Sequence, residues 1–167
     1  MAEVQRATSI VDLLTPELVL PDFSARSKPE ALDALAAHVG LAQPDVDVGH
    51  VRASLHERER QSTTALENGV AIPHVRLAGL PTPLAVLARS SAGIACGAVD
   101  GQPTRLFLLL VVATEHPGGH LRLLASASRL LSDDRCRSRL LDAPSAAELL
   151  AVLREHERRA LPGLRAA

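Results

Sequence analysis

The chain has 167 residues and a formal net charge of −1, and 47% of its residues are hydrophobic, with two Phe and no Trp or Tyr. That length fits one domain, whose core must be built almost entirely from aliphatic side chains. The near-neutral charge, with Arg interleaved among Asp and Glu, argues against nucleic-acid binding.

Two helices are predicted in the first third of the chain, after a short helix over residues 10–14 and a short strand over residues 18–20. The segment Ser27-Lys28-Pro29-Glu30 has the form of a capping box. Apolar residues at helical spacing follow it, and Gly40 then supplies a helix stop. A second helix is predicted over residues 47–60, where Val48, Val51 and Leu55 share one face.

The middle of the chain is predicted to form strands. Residues 70–72 are apolar and are broken by Pro73, and residues 83–89 indicate a second strand. Residues 106–112 form a near-continuous apolar run, which suits a strand buried on both faces. Asp100-Gly101 marks a turn before that strand.

Helical spacing returns after Gly118-Gly119, and two further helices are predicted over residues 133–141 and 145–154. The last begins with a second capping box at Ser145. Helices on both sides of a strand-rich middle predict an α/β fold with helices on both faces of the sheet. We expect residues 1–9 and 157–167 to be loosely ordered tails.

His74 is the first candidate for chemistry, because it follows an apolar stretch and Pro73, which limits local freedom. The sequence places it just past a strand end, held yet accessible. Its imidazole is partly neutral near neutral pH, so a ring nitrogen can act as a nucleophile. Since the chain has seven histidines, an ordinary surface role is the simpler interpretation of this position alone.

His120 and Arg58 are the other two candidates. Gly118-Gly119 predicts that His120 lies in the first turn of a helix, where free N–H groups favour an anion. Arg58 lies near the end of a predicted helix and could bind phosphoryl oxygens bidentately. Both could equally be solvent-facing helix residues, and so could His56 and Arg60.

The remaining patterns indicate chemistry only weakly. Cys96 and Cys136 form no CxxC pair, so a zinc or redox site has little support. His116 and His120 have the i, i+4 spacing of a metal site, but Pro117-Gly118-Gly119 predicts a break between them. Ser62-Thr63-Thr64 could hold a hydroxyl nucleophile but shows no partner. With no secretory leader and no apolar run long enough to span a bilayer, we expect a soluble cytoplasmic protein that is not embedded in a membrane.

Several separate segments together resemble one family, the type 2 EIIA domains (fructose, mannitol and nitrogen-regulatory) of the bacterial phosphotransferase system. The resemblance covers residues 10–156. It rests on five segments in the family's order: Gly69-Val70-Ala71-Ile72-Pro73-His74, Asp100-Gly101-Gln102-Pro103, His120-Leu121-Arg122-Leu123-Leu124-Ala125, Arg129-Leu130-Leu131 and Ser145-Ala146-Ala147-Glu148-Leu149. It implies a single α/β domain with a mixed, mostly parallel sheet and helices on both faces.

The resemblance also implies a role for each matching residue. His74 takes the position of the histidine that accepts a phosphoryl group from HPr or its nitrogen-branch counterpart. His120 takes that of the second active-site histidine, and Arg58 that of an active-site arginine. Asn68 occupies a supporting position near the phosphorylated histidine. The family needs no metal or organic cofactor.

Three functions remain open at this point. The first is a phosphotransferase relay of the nitrogen-regulatory type, which the segment Cys136-Arg137-Ser138-Arg139-Leu140 favours. The second is a regulatory binding module that docks to a transporter, kinase or channel, with phosphorylation as a switch. The third is a sugar-specific EIIA that passes the group to an EIIB domain in fructose or mannitol uptake. We expect a monomer or weak dimer.

Overall fold

A five-stranded sheet forms the centre of the computed structural model, which describes residues 9–115 and 117–160. Its strands are β1 (Val19–Leu20), β2 (Val70–Ala71), β3 (His74–Leu77), β4 (Leu84–Ile94) and β5 (Thr104–Ala113). β1 runs parallel to β4, and β2 and β3 run parallel to β5. β4 and β5 are antiparallel. The sheet is therefore mixed and mostly parallel, which confirms the predicted fold class.

Helices flank the sheet on both faces. In the described part of the chain they are α1 (Lys28–Ala42), α2 (Val48–Gln61), α3 (Pro117–Ser132), α4 (Asp134–Asp142) and α5 (Ala146–Ala160). β5 is buried along nearly its whole length, as its apolar run predicted, and such a strand needs cover on both sides. No helix of residues 9–115 and 117–160 has the length and apolar character needed to cross a membrane.

The core is aliphatic, as the composition predicted, with a single aromatic contact at its centre. The rings of Phe23 and Phe107 meet edge to face, with centroids 5.5 Å apart. Phe23 follows β1 and Phe107 lies in β5, so this contact joins two elements that are distant in sequence.

Side-chain caps begin four of the described helices: α1 and α5 at Ser27 and Ser145, which the sequence predicted, and α2 and α4 at Asp47 and Asp133. Ser27 Oγ accepts from the backbone N–H of Glu30 at 3.4 Å, and Ser145 Oγ accepts from that of Glu148 at 3.2 Å. Asp47 Oδ1 accepts from the N–H of His50 at 3.0 Å and begins α2. Each cap satisfies an N–H group that the first turn leaves unpaired.

The prediction that Gly40 ends α1 is wrong, because the helix continues to Ala42. Gly40 lies where α1 meets the start of α2, and a Cβ atom at this position would clash with the side chain of Val48. The missing side chain therefore serves close packing between two helices. A stop signal and a packing contact look the same in a single sequence.

The second predicted strand is longer than expected: β4 runs from Leu84 to Ile94, past Arg89. Its pairing with β5 shifts register between Arg89 and Ile94, and Ile94 pairs with Thr104. This irregularity accommodates the small and polar residues 90–93, which carry no strand pattern of their own.

The C-terminal tail was predicted to begin at residue 157, and this boundary is wrong. Helix α5 extends to Ala160 and so includes residues 157–160. Glu157 Oε1 accepts from the backbone N–H groups of Ile10 and Val11, at 2.8 and 3.3 Å. An ion pair between Glu155 and Arg159 also supports this last turn. Of the predicted N-terminal tail, residues 1–9, the structure describes only Ser9. Residues 1–8 and 161–167 lie outside the described residues.

Candidate active site

His74 follows the end of β2, as the sequence predicted, and is itself the first residue of β3. Pro73 separates β2 from β3 because it has no N–H to donate, but its carbonyl still accepts from the N–H of Leu110 at 2.9 Å. Val70 pairs with Leu106 and His74 with Leu110, so the register against β5 is kept across the proline. His74 is therefore fixed by the sheet and is only half-buried.

Two hydrogen bonds determine which nitrogen of His74 carries the proton. Nδ1 lies 2.9 Å from the carbonyl oxygen of Ile72, which can only accept, so Nδ1 donates. The Nε–H of Arg58 lies 3.1 Å from Nε2, and a guanidinium can only donate. Nε2 therefore carries the lone pair of a neutral ring and accepts from Arg58. It is the nitrogen from which His74 can attack.

The surroundings of His74 keep its ring neutral. Burial is the largest influence and lowers the pKa of His74, since the charged form loses hydration. The positive charges of Arg58 and Arg76 lower it further, while the carbonyl of Ile72 and the carboxylate of Glu59 act in the opposite direction. The net shift is downward, so the nucleophilic form of the ring predominates at neutral pH.

His120 lies in the first turn of α3 and faces the same site. Its ring centroid is 5.4 Å from that of His74, and the two rings are inclined at 50°. Burial and the neighbouring His74, Arg76 and Arg58 lower the pKa of His120. Its Nδ1 is buried, and within the described residues it has no hydrogen-bond partner. Unpaired buried polar atoms are rare in native proteins, and a catalytic role is one reason for them.

Arg58 lies in the last turn of α2, where one guanidinium contacts both the His74 ring and the protein backbone. Besides its bond to Nε2, it donates from Nη1 to the carbonyl oxygen of Ser62 at 2.8 Å. The structure thus brings together His74, His120 and Arg58 from β3, α3 and α2. Two imidazoles beside a guanidinium form a cluster of groups suited to an anion.

Arg76 adds a second cation that the sequence analysis did not single out. Side chains alternate along a strand, so Arg76 projects to the same side of β3 as His74. It is exposed, and its charge acts on both His74 and His120. The alternation of exposed and buried residues over 74–77 could have indicated it, if this segment had been predicted as a strand.

Replacing Arg76 with glutamine is expected to raise the pKa of both His74 and His120, because a nearby positive charge disfavours the imidazolium. Histidine titration by NMR measures both rings in one experiment. Arg129→Gln, an equivalent change in the last turn of α3, is the control and should leave both rings unchanged. Unshifted titrations in Arg76→Gln would contradict the placement of this side chain.

Asn68 shapes the backbone turn that leads into β2 and His74. Its φ is 63° and that of Gly69 is 72°, so the Asn68-Gly69 pair forms a tight turn with left-handed backbone. The backbone N–H of Asn68 donates to Asp100 Oδ2 at 2.8 Å. Leu66 N–H and the Val70 carbonyl close the turn at 2.7 Å. Asn-Gly is a strong hairpin signal that the sequence analysis left unused.

Replacing Asn68 with alanine is expected to destabilise the protein by about 1 kcal/mol, since Ala is strained at positive φ. Asn68→Gly is the matched variant and should keep most of the stability, because Gly adopts this conformation readily. Urea unfolding measures both values. Equal losses in the two variants would show that the asparagine side chain, which both lack, matters more than the positive φ.

The weaker candidates are engaged elsewhere. His56 Nε2 pairs with Asp33 Oδ1 at 2.7 Å between α2 and α1, and Arg60 pairs with Glu57. The hydroxyls of Thr63 and Thr64 both donate to Glu59, so neither is placed as a free nucleophile. His116 lies outside the described residues. Over residues 9–115 and 117–160, no three His, Cys, Asp or Glu side chains form a group that could hold a metal ion.

Comparison with known families gives a match over nearly the whole chain. Residues 12–156 match the model of the family described as "Phosphoenolpyruvate-dependent sugar phosphotransferase system, EIIA 2". A nitrogen regulatory protein of Bradyrhizobium diazoefficiens is 36% identical over 146 residues, which cover 86% of this chain and 94% of that protein. A nitrogen regulatory protein of Pseudomonas aeruginosa is 32% identical over 141 residues, or 84% and 92% of the two chains.

A solved structure shares the same fold. The crystal structure of the nitrogen regulatory protein IIA-Ntr from Neisseria meningitidis superposes with a TM-score of 0.81 and 28% sequence identity. The match covers 86% of this chain and 98% of that one. The residues that match the family model, 12–156, include the sheet and all three elements that carry the site.

Proposed function

The chain belongs to the EIIA 2 family of the phosphoenolpyruvate-dependent sugar phosphotransferase system, and we propose that it is a phosphocarrier whose His74 accepts the phosphoryl group. The observation that carries this proposal is the state of the His74 ring. Nδ1 donates to Ile72, while the lone pair of Nε2 is directed at the guanidinium of Arg58. The proposal includes a cytoplasmic location, as the family leads us to expect.

The reaction uses the groups already in place. Nε2 of His74 attacks the phosphorus of a donor phosphohistidine in line, and the bond from phosphorus to the donor nitrogen breaks. Positive charge develops on the His74 ring as the new N–P bond forms. The carbonyl of Ile72, which accepts the Nδ1–H at 2.9 Å, stabilises that charge and holds the ring orientation.

Arg58 and His120 stabilise the phosphoryl group during its transfer. Once Nε2 bonds to phosphorus it no longer accepts from Arg58, so the guanidinium is free to donate to the equatorial phosphoryl oxygens. His120, with its ring 5.4 Å away, can donate a further hydrogen bond. Phosphoryl transfer depends mostly on such positioning and charge stabilisation.

We place the chain in the regulatory branch, with the nitrogen-branch phosphocarrier as donor and HPr as the alternative. Support comes from the nitrogen regulatory relatives, which the chain matches over nearly their full length. In this role the phosphate acts as a switch, since it adds negative charge and acceptor oxygens to a surface that carries Arg58 and Arg76. A regulated transporter or kinase is the partner class. Transfer to an EIIB domain is the sugar-transport alternative that the family description allows.

Incubation with phosphoenolpyruvate, enzyme I and each donor carrier in turn tests the proposal. We expect a mass gain of one phosphoryl group, acid-labile, at Nε2 of His74 by ¹⁵N NMR, and faster with the nitrogen-branch donor. A phosphate that stays on the chain when an EIIB domain is added supports the regulatory role, and one that transfers supports sugar uptake. No gain with either donor, or a gain at another residue, would refute the carrier function.

A further inference from the structure

The carboxylate of Glu59 is buried beside the site, and the proposed reaction does not use it. Its side chain is only 9% exposed, although it follows Arg58 in the last turn of α2. The ionised form is retained despite burial: hydrogen bonds from Thr64, Lys28 and Thr63 outweigh desolvation and lower the pKa of Glu59. A buried charge this well satisfied fixes the positions of its donors.

The donors come from two separate parts of the chain. Lys28 Nζ, at the start of α1, lies 3.0 Å from Oε1. Thr63 Oγ1 donates to the same oxygen at 2.8 Å. Thr64 donates from its backbone N–H at 3.1 Å and from its hydroxyl at 2.6 Å. Through these bonds Glu59 connects residues 63–64 both to α2, on which it lies, and to the start of α1.

That segment in turn controls one hydrogen bond of the His74 ring. The carbonyl of Thr64 accepts from the N–H of Ile72 at 3.1 Å. The carbonyl of Ile72 then accepts from Nδ1–H of His74 at 2.9 Å. A continuous series of hydrogen bonds therefore runs from Glu59 through Thr64 and Ile72 to the nitrogen that fixes the tautomer.

The second hydrogen bond of the ring depends on the same segment. Arg58 reaches Nε2 of His74 with its Nε–H while its Nη1 donates to the carbonyl of Ser62 at 2.8 Å. Ser62 directly precedes Thr63 and Thr64, which Glu59 holds. Both contacts that orient the His74 ring thus end on backbone that the Glu59 carboxylate keeps in place.

We propose that Glu59 is a positioning residue for phosphoryl transfer, holding residues 62–64 so that Ile72 and Arg58 together orient His74 for attack through Nε2. This rests on the proposed function of His74. It predicts a change in the His74 ring before any phosphoryl group arrives, and the ring is therefore the first readout. The rate of phosphoryl acceptance is the second.

The experiment compares Glu59→Ala and Glu59→Gln with wild type, using ¹⁵N NMR of the histidine rings in the unphosphorylated full chain. In Glu59→Ala we expect His74 to lose its single tautomer and acceptance to slow by about tenfold. Glu59→Gln keeps an oxygen acceptor, so we expect it to retain the tautomer largely. The pKa of His74 should fall in Glu59→Gln, because the carboxylate charge that raises it is gone.

Two further comparisons keep the test decisive if Glu59→Ala unfolds. Thr64→Val removes one donor to Glu59 without changing shape, while Thr64→Ser keeps the hydroxyl. We expect the Val variant, and not the Ser variant, to broaden or split the His74 signals. Glu57→Gln is the matched control on α2, since Glu57 is exposed and pairs with Arg60, and it should change neither readout.

The two proposals fail in different ways. If Glu59→Ala and Thr64→Val leave the His74 tautomer and the acceptance rate at wild-type values, Glu59 has no positioning role, even where the melting temperature falls. If the ring changes as expected but the wild-type chain is never phosphorylated, the carrier function fails and the positioning of the ring stands.

Discussion

The His74→Gln variant is expected to accept no phosphoryl group from any donor of the relay, while remaining folded. Gln offers an amide N–H and a carbonyl at the same half-buried position, but it has no nitrogen lone pair able to form an N–P bond. Because the N–P bond is the chemistry of the relay, the loss should be complete. The intact protein mass after incubation with phosphoenolpyruvate and the donor enzymes measures it.

His50→Gln is the matched control for this variant. His50 is an exposed histidine at the start of α2, and its side chain lies outside the group formed by His74, His120 and Arg58. The His50→Gln variant should be phosphorylated as fast as wild type. Labelling of His74→Gln at the wild-type level would place the acceptor on another histidine, and the assignment of Nε2 would then be wrong.

Replacing Arg58 with glutamine is expected to slow phosphoryl acceptance by about 10²–10³-fold, the usual effect of removing one preorganised donor to a developing anion. Two causes act together: Nε2 of His74 loses the donor that orients it, and the phosphoryl oxygens lose a guanidinium. Single-turnover transfer from a phosphorylated donor carrier measures the rate of this step directly.

The Arg58→Lys variant separates these two causes. Lysine keeps the charge but cannot donate to both His74 Nε2 and the Ser62 carbonyl from one rigid plane, so we expect a rate between those of Arg58→Gln and wild type. Arg52→Gln, an exposed change on the same helix, is the control. If Arg58→Gln is no slower than Arg52→Gln, the guanidinium takes no part in transfer.

The sequence predicted those parts of the fold that local signals specify. The caps at Ser27 and Ser145 work through neighbouring atoms, and the apolar run that became β5 reports burial directly. Errors arose where a distant segment decides the outcome. Gly40 is small because α2 lies against it, and α5 continues because Glu157 meets the backbone at Ile10 and Val11.

In the candidate site, too, local sequence signals could be predicted and contacts with distant segments could not. His74, His120 and Arg58 were candidates from their sequence context, and the resemblance implied a role for each. The structure brings these three together from separate elements. The tautomer of His74 could not be predicted, since it depends on a carbonyl and a guanidinium whose positions follow from the fold. Glu59 has the pattern of an ordinary charged helix end, and only three-dimensional contacts with Lys28 and Thr64 show that it is buried.

The bond from Glu157 to Ile10 and Val11 also bears on how such a domain can be joined to others. One carboxylate oxygen holds the first described turn and the last helix together, at 2.8 and 3.3 Å. The described part of the chain therefore begins and ends at one corner of the fold. A host protein could carry it as an insert with two adjacent junctions, because Ile10 and Glu157 already lie side by side.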